Sequence, residues 1–194
     1  MKTIKLIALG ALLAFAGKAQ ADDVTVSDVT MAAGETKEVA IELVNPDADY
    51  SAFQFNLVLP EGFSIAKNDK GKLIYHLNSD RIDDHTLTMS EISSGNYRFL
   101  SFSLSNSVLD GKSGALVYVT LAADESVNSG TKQATVTSQV FTTSRGVQNK
   151  LSDTTFQITV PGDTPPSYLK GDMNDDGIID ITDVVMLVNV LLNQ

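Results

Sequence analysis

The chain has 194 residues, no cysteine and a formal net charge of −10. That length suits one medium domain with an appendage. The missing cysteines remove disulfides, thiolate zinc sites and cysteine nucleophiles together, and the acidity speaks against a nucleic-acid partner. Residues 1–21 read as a secretory signal. Lys2 and Lys5 make a basic start, and the apolar run LIALGALLAFAG over 6–17 is too short to span a bilayer. Ala19-Gln20-Ala21 then supplies a small-x-small cleavage pattern. The exported chain is expected to begin at Asp22 and to keep no transmembrane anchor. Its expected location is outside the cytoplasm: extracellular, at the cell surface, or periplasmic.

Residues 22–160 alternate apolar and polar side chains with a period of two, which predicts strands almost throughout. Val24 and Val26 are followed by Val29 and Met31, with a phase slip at Ser27-Asp28 that predicts a bulge or bend. Val39, Ile41 and Leu43 follow. Phe53, Phe55, Leu57 and Leu59 then share one face, with Gln54, Asn56 and Val58 on the other. Further strands are predicted near 72–77, 86–92 and 97–104. Residues 116–122 are apolar on both faces and predict a central strand, with Tyr118 in the core. Segments 134–140 and 155–160 complete the set. Turn signals punctuate it: Asn45-Pro46-Asp47, Pro60-Glu61-Gly62, Ser94-Gly95-Asn96, Asp110-Gly111 and Arg145-Gly146 among others. About nine short strands with such turns predict a mainly β fold, an antiparallel two-sheet, jelly-roll-like sandwich. Its expected core includes Phe53, Phe55, Leu57, Leu116, Val119, Leu121, Phe156 and Ile158.

The early YSAFQFNLVLPEGFSI and the later GALVYVTLAADESVNSGTKQATVTSQVFTTSRG resemble a cohesin domain. A buried strand, a short polar excursion, a glycine, another strand and a phenylalanine turn occur in that order. The resemblance implies a jelly-roll sandwich, close in shape to some carbohydrate-binding modules, that binds dockerin domains through a sheet face and carries no catalytic residue there.

Residues 161–169 hold three of the five prolines and read as an extended linker. From 170 to 194 the chain offers a loop and a helix. Asp172, Asn174, Asp176, Ile178, Asp180 and Asp183 fall at loop positions one, three, five, seven, nine and twelve, with Gly177 at position six. That is the ligand spacing of an EF-hand-type loop, in which Ile178 would contribute its carbonyl and Asp183 both carboxylate oxygens. Calcium takes six to eight oxygens, so one loop must wrap round it. The alternative is an acidic, solvated turn ahead of a helix. GDMNDDGIIDITDVVMLVNVLL is similar to one repeat of a type I dockerin, including the aspartate at position twelve. A complete dockerin has two such repeats, and this sequence has one. The resemblance implies calcium binding, with Ile181, Thr182 and Asn189 at positions that matter for partner choice. Ile181 is not the small hydroxyl residue usual there.

Nothing in the sequence assembles a catalytic set. His76 and His85 read as lone polar-region histidines. Asp80, Asp83 and Asp84 lack a glycine turn, and nothing places Glu61 opposite Glu91 as a glycosidase pair. The expectation is a secreted, non-catalytic assembly protein associated with polysaccharide breakdown, its partner a cohesin- or dockerin-bearing protein. The alternative is a carbohydrate-binding module with a calcium-stabilised tail. That reading needs exposed aromatic rings, and the chain has no tryptophan, leaving Tyr75 and Tyr97 as the candidates for an outer face.

Overall fold

The computed structural model describes residues 21–162, 171–174 and 178–192. The signal segment up to residue 20 and the linker beyond Gly162 lie outside them. The elements in chain order are β1 (Asp23–Thr25), β2 (Val29–Thr30), β3 (Thr36–Val44), β4 (Tyr50–Val58), β5 (Phe63–Ile65), β6 (Tyr75–Leu77), β7 (Thr86–Ser93), β8 (Asn96–Phe102), β9 (Ser113–Ala123), β10 (Gly130–Thr143), β11 (Gln148–Lys150), β12 (Thr154–Val160) and α1 (Ile181–Leu192).

Two sheets face each other. The first has the order β1-β3-β9-β5, with β6 also paired to β9; the second runs β2-β12-β10-β4-β8-β7, with β11 paired to β10. All ladders are antiparallel except β2 on β12, which is parallel. The slip at Ser27-Asp28 is where the chain leaves the first sheet at β1 and enters the second at β2. The apolar set of each strand faces inward because a period-two pattern can bury only one side. All eight expected core residues are at most 1% exposed. At their centre Phe55 lies between Phe53 and Phe99, with ring centroids 5.8 and 5.2 Å away.

Two details depart from the simple alternation. In β10 the register shifts between Thr137 and Val140, and Ser138 adopts a φ of 53°. The inserted residue reverses the phase: Ala134 and Val136 face inward before it, Gln139 and Phe141 after it. Gln139 is thereby buried, and its Nε2 donates to the Val136 carbonyl at 3.1 Å and to Thr154 Oγ1 at 3.2 Å. The tyrosines also sit differently from expectation. Tyr118 is half-buried on the outer face of the first sheet, not in the core. Its directly paired neighbours there are Ala40 on one side and His76 on the other. Tyr97 is buried, and Tyr75 turns edge-on to Phe99 at 5.7 Å. Neither contributes a ring to an outer face, because each falls on the inward phase of its strand.

Candidate partner-binding face and C-terminal loop

The second sheet presents an outer face built from the residues that the core leaves behind. Ala52, Gln54, Asn56 and Val58 come from β4, Arg98, Leu100 and Phe102 from β8, and Thr135, Thr137, Val140 and Thr142 from β10. Cross-strand register places Gln54 beside Leu100 and Val140, so the centre is aliphatic and amide. Ala52, Gln54, Leu100, Val140, Thr142 and Gln148 line a shallow depression of about 280 Å³ there. Arg98 on β8 and Lys150 on β11, which pairs with Val140, are the two charges on this face. Arg98 Nε donates to Asn56 Oδ1 at 3.0 Å, and Asn56 is buried. A face with an aliphatic centre, amide and hydroxyl surroundings and few charges has the anatomy of a protein-binding patch.

The loops at one end of the sandwich are held by Arg81, which is 4% exposed. Its Nε donates to the Asp110 carbonyl at 2.9 Å, and Nη1 donates to the carbonyls of Leu43 at 2.9 Å and Gly114 at 2.6 Å. Nη2 donates to Asn45 Oδ1. Burial pushes the guanidinium pKa down, yet the group remains a cation because its ordinary value is so high. This explains the segment NSDRIDDH: the arginine turns inward as a lock, while Asp80, Asp83 and Asp84 stay exposed. Among the described residues no three His, Cys, Asp or Glu side chains converge to hold a metal. Glu61 and Glu91 line different clefts. A ring nitrogen of His85 donates to the Asp83 carbonyl at 2.6 Å, and His76 stacks on Tyr118 with centroids 5.0 Å apart. That stacked pair is the aromatic surface the first sheet offers.

At the C-terminus α1 starts at Ile181, within the last three positions of the 172–183 loop. Asp180 caps it: its Oδ1 accepts from the Thr182 N–H at 2.7 Å, while Asp183 Oδ2 accepts from the Asp180 N–H at 2.8 Å. This reciprocal arrangement is a capping box. Asp183 Oδ1 also accepts from the Met173 N–H at 2.6 Å, closing a span of ten residues. The carboxylate is 2% exposed, and the N–H groups of Asp180 and Met173 hold its pKa below the ordinary value. Asp172, Asn174, Ile178 and Asp180 would offer oxygens to an ion in the loop, and Asp176 and Gly177 lie outside the described residues. The donor set is all oxygen, and the loop's two ends are drawn together at Asp183, which fits a hard cation such as calcium. Ile181, Thr182 and Asn189 are exposed on α1. So is nearly every other helix residue, from Val184 at 51% to Leu192 at 76%.

A two-sheet sandwich with an aliphatic-centred outer sheet face has the build of a binding module. The chain belongs to the cohesin family: the Cohesin domain profile matches residues 23–160, and such domains are non-catalytic interaction modules. Solved structures share the fold at low identity. A cohesin of Clostridium acetobutylicum is 17% identical with a TM-score of 0.60, covering 74% of this chain and 93% of its own. A cohesin module from a family 33 glycoside hydrolase of Clostridium perfringens is 18% identical with a TM-score of 0.55, covering 72% and 96%. A type I cohesin bound to its dockerin, from Clostridium thermocellum, is 16% identical with a TM-score of 0.53, covering 75% and 100%. No curated protein matches the chain.

Proposed function

We propose that the protein is a secreted assembly protein whose sandwich binds a dockerin-type partner on the outer face of β10, β4, β8 and β7, in a setting of polysaccharide breakdown. The observation that carries this reading is the face itself. It is aliphatic at Leu100 and Val140, with amides and hydroxyls around that centre and two cations, Arg98 and Lys150, at its edges. The C-terminal unit is a second attachment point in this reading. It is a single dockerin-like repeat in which Asp172, Asn174, Asp176, Ile178, Asp180 and Asp183 hold one calcium ion, with Ile181, Thr182 and Asn189 facing a partner. Calcium would supply charge neutralisation there and fix the loop against the start of α1.

The test is capture of immobilised dockerins by the full chain and by Leu100→Asp and Arg98→Glu variants. Loss of capture with an unchanged melting temperature supports the face; undiminished capture by both variants removes it. The stacked pair of His76 and Tyr118 favours a second reading, sugar binding on the opposite sheet, because the apolar face of a pyranose packs on such rings. Oligosaccharide titrations that Tyr118→Ala abolishes would establish it in place of the first.

A further inference from the structure

The edges of a sandwich are where its backbone can still form a ladder, and proteins blunt them by brevity, lysine, proline or bulges. The edge strands β1, β2, β5, β6 and β11 are two or three residues long. β7 differs. It pairs with β8 on one side and with no other described strand. It runs for eight residues, TLTMSEIS, without lysine, arginine or proline. Its single irregularity falls between Glu91 and Ser93, so residues 86–91 form a regular edge about 20 Å long at strand rise.

The side chains of this edge alternate. Thr86, Thr88 and Ser90 are exposed, while Leu87 and Met89 are half-buried. The latter two form one wall of a groove of about 600 Å³ that opens between the sheets, and Leu73, Tyr75 and Leu77, with Lys72 and His76 beside them, line the other side. Leu73, Tyr75, Leu77, Leu87 and Met89 pack on the core and leave their upper surfaces in the groove.

We propose that the β7 edge and this groove receive an extended peptide segment of another protein. The segment adds to the second sheet as a further strand and places an apolar side chain in the groove at every second position. Three features select that occupant. Edge N–H and C=O groups at ladder spacing are satisfied by a strand and not by a helix, whose own backbone groups are already paired. The groove lies on one side of the added strand only, so alternate residues are apolar and the rest face water beside Thr88 and Ser90. Residues 86–90 carry no charge, and Lys72 is the one cation in the groove lining, so no run of charge on the edge selects a charged segment. A second copy of this chain is a poor occupant. The inward side chains of its β7 are Leu87 and Met89, which already pack on their own core and cannot fill a neighbour's groove.

The test uses the full chain, isotope-labelled, and an end-capped octapeptide of alternating valine and threonine flanked by lysines. Amide exchange in residues 86–91 is expected to slow at least about tenfold on titration. Methylating the peptide's edge-facing nitrogens is expected to abolish binding, and Leu77→Glu, on the groove wall away from β7, to weaken it about tenfold. Four results would overturn the proposal: no binding, equal binding of the methylated peptide, protection centred on Gln54, Leu100 and Val140, or concentration-dependent protection of β7 without peptide, which would mean self-pairing.

Discussion

Two buried charged residues show how single side chains set local order here. Arg81 satisfies three main-chain carbonyls and Asn45 Oδ1. Replacing it by methionine keeps volume but strands those acceptors, each at about 1–3 kcal/mol when it stays dry. Arg81→Met is therefore expected to cost about 3–5 kcal/mol in denaturant unfolding, and a loss under about 1 kcal/mol would mean that water takes over the role. Nothing in the string NSDRIDDH distinguished the inward arginine from its solvated neighbours, since its partners are carbonyls distant in sequence. Asp183 is the acidic counterpart. Its folded pKa lies below the ordinary value, so its contribution is complete above the ordinary carboxylate range and disappears as pH falls through the lowered value. The start of α1 should hold from neutral pH down to about 4 and loosen only in stronger acid. Chemical shifts of residues 180–186 followed from pH 7 to 2 would show this; loosening between pH 7 and 5 would contradict it.

Strands were legible wherever burial is one-sided. The run from Phe53 to Leu59 declares both its inward and its outward set, and β4 carries them as read. Phe55 is fully buried, so Phe55→Ala should cost about 3–5 kcal/mol; less than about 1 kcal/mol would break the register. Short edge strands such as β5 and β11 escaped notice because three residues carry too little periodicity. The Ser138 bulge escaped because a phase reversal inside one strand looks like the end of that strand. Tyr118 misled for a related reason. Apolar residues on both sides of β9 suggested full burial, whereas its outer face is covered only by neighbours such as His76. The groove beside β7 was not legible at all: Leu73, Leu77, Leu87 and Met89 have the pattern of core residues, and only the missing neighbour strand leaves them half-open. The loop spacing before α1 can be read because an EF-hand-type loop keeps its oxygens close together in sequence, and calcium binding there is a proposal. Calorimetry on the full chain is expected to find about one calcium ion bound, and Asp172→Ala with Asp183→Ala to find none. At a hundredfold excess over its dissociation constant the ion would stabilise the unit by about 2.7 kcal/mol.

At the scale of the whole molecule, the proposed reading gives the protein two surfaces of opposite logic. The sandwich face is preformed: its strands are held by an apolar core, and Arg98 is bonded to Asn56. The C-terminal unit is conditional. An isolated helix of twelve residues is marginal in water, and carboxylates at four of the loop's ligand positions repel one another until a cation neutralises them. If both surfaces recruit partners, the two events should separate cleanly by mutation. A chelator cannot separate them, since a dockerin partner carries calcium loops of its own. The double change Asp172→Ala with Asp183→Ala can, because it acts on this chain alone. It should leave dockerin capture by the sandwich within about twofold of the parent while abolishing whatever is held through α1. Leu100→Asp should do the reverse. The sandwich event should depend only modestly on salt, because a face with two cations, Arg98 bonded to Asn56 and Lys150 beside Val140, offers little for a Debye atmosphere to screen. Surface plasmon resonance at about 50 and 500 mM salt, with parent, double variant and Leu100→Asp side by side, reads all three expectations. Capture that falls in parallel for both variants, or that weakens more than about tenfold with salt, would mean that one continuous electrostatic surface, and not two independent ones, holds the assembly together.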